Sequence, residues 1–324
     1  MTITLTEAQK DRASGVLLGQ AVGDALGVPY EFGPRILMGT AGMIGGGLGP
    51  YEPGEWSDDT QMASCIALVT ADGGNLNTDA GLDAVAARFL EWREWGASDI
   101  GNLTRDVLDG VTPGPDLALR MTEVSRSFAL GDRAGNGALM RTGVVGLVSL
   151  YDREYGAEAA ANAASLTHAH VLCVESSVLW SEAVRVAVLM AKLDVRGGLD
   201  LLPEESAHRW EAWIDEAELS NPNSFSPNGW TVSAFQAAWS SIHATRHLDG
   251  TAHLEAALQT AVAIGDDTDT IAAIAGALLG ARYGASAIPA RWADAVHGWP
   301  GLSGNDLCQL ALDTALAGRG ITGS

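Results

Sequence analysis

Apolar residues recur at intervals of three and four along most of the chain, the spacing of one face of an α-helix, and stretches that alternate apolar with polar are sparse. Thr6 followed by Gln9 has the form of a capping box, so a helix is predicted from there to about Gly27. Further helices are predicted over 58–73, 79–95, 116–130, 138–150, 155–166, 171–194, 203–219, 231–245, 252–263, 268–283 and 303–317. In the first of them Gly15, Gly19, Gly23 and Gly27 fall four apart on a single face. Small residues at this spacing also serve membrane helix pairs, but Asp11, Arg12, Gln20 and Asp24 interrupt the apolar surface. The stripe therefore predicts a buried helix that another backbone approaches closely, despite the conformational cost of glycine there. Asp24 on that helix is expected to be buried and to anchor a neighbouring loop.

Between the helices, residues 33–55 are crowded with Gly and Pro and 221–229 read NPNSFSPNG, so both are loops. A loop as long as the first is usually functional in a compact domain. With no fixed-period repeat, low-complexity tract or interdomain linker in view, the expectation is one all-α domain over 1–324.

Composition changes this picture in a few places. Over 324 residues, 47% hydrophobic and 18% charged residues describe a packed globular protein. The net charge of −21, with Lys10 and Lys192 the only lysines, repels a phosphate backbone and excludes general nucleic-acid binding. A small phosphate-bearing ligand stays open, because a bound divalent metal reverses the local field. Cys65, Cys173 and Cys308 are far apart and fit neither a disulfide framework nor a zinc site, so reduced thiols are expected. The N-terminus lacks a secretory pattern, and no segment reaches the ~18 apolar residues of a spanning helix. A cytoplasmic monomer without membrane association is the expectation. Most of Trp92, Trp95, Trp180, Trp210, Trp213, Trp230 and Trp239 are assigned to packing, and Glu204, Glu205, His208, Arg209 and Glu211 to a solvated helix face.

The chemistry concentrates at two helix starts, Ser57-Asp58-Asp59-Thr60 and Asp266-Asp267-Thr268-Asp269-Thr270. Ser, Asp and Thr are preferred N-caps, and the helix dipole stabilises carboxylates there, but a cap needs only one or two such residues. Here five carboxylates and four hydroxyls gather at the two starts. Crowded like charges are costly unless a cation sits among them, and an oxygen-only set suits a hard divalent ion. Capping on two separate helices is the alternative. Gly135-Asn136-Gly137, followed by Ala138-Leu139-Met140-Arg141, reads as a turn or as a place where backbone N–H groups hold an anion. His168 and His170, in LTHAH, read first as structural histidines near a helix junction.

Five segments, GVLLGQAVGDALGVPYEF (15–32), GEWSDDTQMA (54–63), GNGALMR (135–141), LTHAH (166–170) and GDDTDTIAAIAGALLGARYG (265–284), occur in an order that resembles the ADP-ribosylglycohydrolase family. This group includes dinitrogenase reductase-activating glycohydrolase and the mammalian ADP-ribosyl-acceptor hydrolases. The resemblance implies a compact orthogonal multi-helix bundle with a motif-bearing core of about 12–284, and two divalent cations, Mg²⁺ or Mn²⁺, as cofactors. Its metal ligands fall on Ser57, Asp58, Asp59, Asp267, Asp269 and Thr270, with Asp269 bridging. Ser57 stands where many relatives have Thr, and Asp266 where many have Gly, so Asp266 is given no metal role. Glu31 matches a glutamate on a segment that covers the metals in some relatives; with Asp59 and Asp267 it forms the catalytic set. Gly135, Asn136, Gly137, Ala138, Met140 and His168 fall on the ADP-ribose-binding positions, with His170 the weaker choice.

The resemblance thus implies hydrolysis at the anomeric carbon of the ribose distal to adenine, with the metals lowering the pKa of a water and Asp59 or Glu31 as acid or base. The acceptor is an ADP-ribosylated protein or small molecule, with arginine linkage preferred and O-linked serine the alternative. Two rivals remain open: a non-catalytic ADP-ribose-binding member, and a two-metal hydrolase of phosphate esters.

Overall fold

The computed structural model describes residues 4–131 and 133–318 of the chain, and these form an all-α fold. The capping box at Thr6 opens α1 (Glu7–Gly27), with the Thr6 hydroxyl accepting from the Gln9 amide. There follow α2 (Asp58–Ala71), α3 (Asp79–Trp95), α4 (Asn102–Asp109), α5 (Leu117–Ala129), a short α6 (Leu139–Thr142) and α7 (Arg153–Ser165). The second half holds α8 (Val171–Met190), α9 (Glu204–Leu219), α10 (Thr231–Ala244), α11 (Gly250–Ala263), α12 (Thr268–Tyr283), α13 (Ala290–Ala293) and α14 (Gly304–Ala317). Two-residue strands, β1 (His297–Gly298) and β2 (Leu302–Ser303), pair antiparallel before α14.

The glycine stripe does what its spacing predicts. A Cβ on Gly19 would lie 2.3 Å from the Gly276 carbonyl oxygen, one on Gly23 2.0 Å from that of Ala272, and one on Gly280 1.9 Å from that of Gly15. Helices α1 and α12 therefore touch backbone to backbone, closer than any side chain permits. Every residue of α12 from Thr268 to Ala281 is buried, so its apolar sequence is accounted for by enclosure on all sides. One hydrophobic cluster runs from Leu5 on the approach to α1 to Ala315 on α14.

Two predicted helices differ from those observed. The segment 138–150 is not one helix: after α6 it tightens into a 3₁₀ turn over Gly143–Leu147. Thr142 bonds its hydroxyl back to the carbonyls of Ala138 and Leu139, which competes with regular helix. Gly146 is held where a Cβ would lie 2.4 Å from the Ser181 carbonyl oxygen. Helix α4 escaped the sequence reading because its eight residues lie between Gly101 and Gly110, too short for a periodic pattern to register. Helix α8 ends at Met190, short of the predicted 194, because Ala191 takes a left-handed conformation with φ 51°.

Other expectations fare well. All three cysteines are free thiols. Among the described residues no helix is long and apolar enough to cross a membrane. Trp92, Trp180, Trp210 and Trp239 are buried, while Trp95 and Trp230 are 55% and 44% exposed. The Glu204–Glu211 face is solvated as expected.

Candidate functional site

Ser57 occupies the N-cap position of α2, yet its side chain makes no capping bond. Asp24, reaching across from α1, caps the helix instead. Its Oδ1 accepts from the Ser57 amide at 2.8 Å and the Ser57 hydroxyl at 2.7 Å. Its Oδ2 accepts from the Thr60 amide at 3.0 Å and the Thr60 hydroxyl at 2.6 Å. The orphan amides that a local cap would satisfy are thus tied to another helix. Asp24 is buried as the sequence suggests, and the loop it anchors is the approach to α2. Nearby, the Gln20 side-chain amide donates to the Asp59 carbonyl at 3.0 Å.

Helix α1 also positions the second cluster, at the start of α12. Gly27 closes α1 against the start of α12, where the Thr268 hydroxyl donates to the Gly27 carbonyl at 2.8 Å. The Asp267 amide donates to Asn228 Oδ1 at 3.0 Å, and Asn136 Nδ2 donates to Asp267 Oδ2 at 2.8 Å. The Gly-Asn-Gly turn is fixed to the second loop because the Asn136 amide donates to the Gly229 carbonyl at 3.1 Å. Asp266 sits at φ 62°, a left-handed conformation that suits glycine, and its carboxylate accepts from the Ser226 hydroxyl, away from the cluster.

Asp59 and Asp269, far apart in sequence, meet across this junction. The Ser57 hydroxyl lies 2.7 Å from Asp24 Oδ1, 3.0 Å from Asp59 Oδ2 and 3.2 Å from Asp269 Oδ2, with a single proton to offer three carboxylates. Asp59 Oδ1 is buried without a hydrogen-bond partner among the described residues. Two groups of carboxylates, Asp24–Asp59–Asp269 and Glu31–Asp267–Asp269, each bring one oxygen per residue within 4.8 Å of the others. Asp269 belongs to both.

Electrostatics follow from this crowding. Burial, and then Asp59, Asp267 and Asp24, push the Asp269 carboxyl well above the usual range. Burial dominates likewise for Asp58 and Asp59, with Asp99 the next cause at Asp58 and Asp24 at Asp59. Asp267 is raised by burial against the opposing bonds from Asn136 and Thr270. Asp24 is raised by burial to about 6, against the four bonds it accepts. Oxygen-only donors, an unsatisfied buried oxygen and repelling carboxylates fit a hard divalent ion.

Above the cluster opens a cavity of about 650 Å³, in the size range of small-molecule sites. Glu31, Asp58, Gly135, Asn136, Gly137, Met140, His168, Asp267 and Thr270 line it. Ser57, Asp59 and Asp269 lie beneath, fully or almost fully buried, and Ala138 is buried outside the lining. A Cβ on Gly137 would lie 2.8 Å from His168 Cε1, so this glycine makes room for the imidazole. His170 instead caps α8, accepting from the Leu172 amide at 3.2 Å.

Sequence reasoning missed three charged lining residues. Asp99, in the loop between α3 and α4, faces Glu31 in hydrogen-bond contact and helps push the Glu31 carboxyl far up, after burial and Asp269. Arg105 and Arg133 also line the cavity, Arg133 paired with Asp106 at 2.7 Å. They bring positive charge where helix-end amides alone were expected; α6 has only four residues, and the Asn136 amide is already engaged. Asp99 stands alone in GASDIG, where no spacing marks it.

Residues 5–322 match the family model described as ADP-ribosylglycohydrolase. An ADP-ribosylarginine hydrolase Tri1 from Pseudomonas putida is 29% identical over 305 residues, covering 90% of this chain and 76% of that protein. The ADP-ribosyl-[dinitrogen reductase] glycohydrolase of Rhodospirillum rubrum is 28% identical, covering 87% of this chain and 89% of that one. A solved structure, titled ADP-ribosylglycohydrolase-related protein complex, superposes with a TM-score of 0.72 at 27% identity over 96% of this chain and 99% of the other.

Proposed function

The chain belongs to the ADP-ribosylglycohydrolase family, and from that premise we propose that it hydrolyses the glycosidic bond between ADP-ribose and a modified protein, with arginine the preferred acceptor. The observation that carries this reading is the pair of carboxylate groups sharing Asp269 beneath a cavity that arginines also line. Ser57, Asp58, Asp59, Asp267, Asp269 and Thr270 are the residues that would hold two Mg²⁺ or Mn²⁺ ions. When bound, such ions supply Lewis acidity toward water and substrate hydroxyls.

The remaining work falls to the chain's own groups. Gly135, Asn136, Gly137, Met140 and His168 form a wall along which the ADP-ribose lies, with Arg105 and Arg133 attracting its diphosphate. Glu31, whose carboxyl is pushed far up by burial and by Asp269, holds a proton in the cavity wall and gives it to the departing acceptor as the anomeric carbon–nitrogen bond breaks. The Asp267 carboxylate stabilises the positive charge that develops at that carbon. A water oxygen then bonds to carbon, and its proton returns to Glu31. Asp59 lies beneath the cavity floor, which suits holding a cation better than transferring protons to substrate. Arginine is preferred because facing carboxylates complement a guanidinium, and because the Pseudomonas putida relative is named for that linkage.

The test is ADP-ribose release from arginine-linked and serine-linked ADP-ribosylated proteins, with Mg²⁺ or Mn²⁺ and with excess EDTA. Metal-dependent release from the arginine-linked substrate is expected. Release of inorganic phosphate instead, or binding of ADP-ribose with no turnover of either substrate, overturns the reading.

A further inference from the structure

Arg141 is wholly buried, and no carboxylate pairs with it among the described residues. Its guanidinium lies 4.8 Å over the Phe89 ring, and its Nε has no hydrogen-bond partner among the described residues. Burial lowers its pKa to about 9, so it remains a cation at neutral pH. An unpaired buried cation is costly and asks for an explanation. Its remaining contacts supply one. Nη1 donates to the Gly137 carbonyl at 3.0 Å, the inner side of the cavity wall, and Nη2 donates to the Thr167 hydroxyl at 2.7 Å.

A guanidinium can only donate, so Thr167 Oγ1 accepts from Arg141. The same hydroxyl is 2.8 Å from His168 Nδ1 and has no other acceptor among the described residues. Thr167 is fully buried, so its proton would be orphaned unless it goes to Nδ1. The bare nitrogen of the imidazole is then Nδ1, and the ring proton sits on Nε2. That nitrogen lies beside Gly135 and Gly137 at the cavity wall, without a protein partner among the described residues, on a side chain only 3% exposed.

We propose that Arg141 is a positioning residue that acts through Thr167 to fix His168 as the neutral Nε2–H tautomer, a permanent hydrogen-bond donor to an oxygen of the bound ADP-ribose. The donor role rests on the proposed ligand; the relay does not. Protonation of the ring is opposed by burial, and the charges that act on it, Arg141 and Arg133, are both positive. The fixed charge behind the wall is therefore Arg141, and His168 contributes direction without titrating.

The experiment uses the full chain with ¹⁵N-labelled histidine and long-range ¹H–¹⁵N correlation spectra, alongside calorimetric titration with ADP-ribose. Wild type is expected to show an unprotonated Nδ1 and a protonated Nε2 on His168, unchanged between about pH 5.5 and 8.5. Thr167→Val removes the donor to Nδ1 with little change in shape. Its His168 should lose the fixed Nε2–H tautomer, with Nδ1 now carrying the proton in part of the molecules, and ADP-ribose affinity should fall roughly tenfold. Thr167→Ser should restore both. A wild-type His168 that titrates or carries its proton on Nδ1 refutes the relay, whatever binds. The expected tautomer in a protein that does not bind ADP-ribose refutes the ligand reading and leaves the relay standing. Thr167→Val with tautomer and affinity unchanged refutes the positioning role.

Discussion

Gly27→Ala joins the packing of two helices to the chemistry at their ends. An added Cβ would lie 2.3 Å from both Cα and N of Asp269, where ordinary contact begins at 3.4 Å. Both atoms are backbone, so no rotamer change relieves the clash. The start of α12 has to retreat by about 1 Å, since a packed interior does not compress. Overpacking of this kind costs about 1–3 kcal/mol, offset by up to about 1 kcal/mol of better helix propensity. A melting temperature lower by a few degrees is the expected global effect. The local effect is larger, because Asp269 belongs to both carboxylate groups. Misplacement by about 1 Å at a site of this kind costs on the order of 10²-fold in rate. Gly15→Ala is the control: its Cβ would meet the Gly280 carbonyl oxygen at the same 2.3 Å. That contact is about 16 Å further along α12, eleven residues (280 minus 269) beyond Asp269. Both variants should melt early, but only Gly27→Ala should lose kcat/KM by about 100-fold and bind Mn²⁺ more weakly. If Gly27→Ala melts like Gly15→Ala and keeps its turnover and Mn²⁺ affinity within about threefold of wild type, the helix contact does not set the position of Asp269.

Other outcomes follow from the same geometry. The raised pKa values of Asp58, Asp59 and Asp269 require divalent ions to displace protons, so Mn²⁺ affinity should climb between about pH 5.5 and 8. Calorimetry in buffers of different ionisation enthalpy should show the protons leaving, and pH-independent binding contradicts this. Folding raises these pKa values, so their stabilising contribution is complete below the ordinary carboxylate pKa and is lost as pH rises through the folded values, about 6 for Asp24. In EDTA the melting temperature should therefore drop between about pH 4 and 8, and excess Mn²⁺ should flatten that slope. Asp269→Asn should abolish Mn²⁺ binding and turnover, whereas Asp266→Gly, at φ 62°, should leave both within about threefold. Asp24→Ala strands three donors, the amides of Ser57 and Thr60 and the Thr60 hydroxyl, and should cost about 3 kcal/mol or more by denaturant melting.

Much of this was legible in the sequence because the evidence was local or periodic. The glycines of α1 announce a close backbone approach, since four glycines on one helix face have few other uses. Ser57-Asp58-Asp59 and Asp267-Thr268-Asp269 stand out because each exceeds what an N-cap needs. What remained hidden depends on partners that periodicity cannot pair. Asp24 could be expected to be buried, but not to cap α2 in place of Ser57, because the cap comes from another helix. Asp99 lies in an irregular loop, where a lone Asp looks like any turn residue. Arg141 sits in a quoted motif, yet nothing in GNGALMR tells a solvated arginine from one enclosed by Phe89, Gly137 and Thr167. Its burial is a property of the assembled core.

The seam between α1 and α12 also dictates an order of events during synthesis. The glycine face of α1 emerges from the ribosome early, and about 240 residues must follow before the matching face of α12 exists. Local helices such as the α7–α8 pair need not wait, because their partners are neighbours in the chain. Asp58 and Asp59 emerge long before Asp267 and Asp269 can join them. A nascent chain that has not yet reached α12 therefore carries only half of the proposed metal site. On that proposal metal uptake becomes a late step, open only after the two distant segments have found each other, and binding then fastens that long-range closure in place.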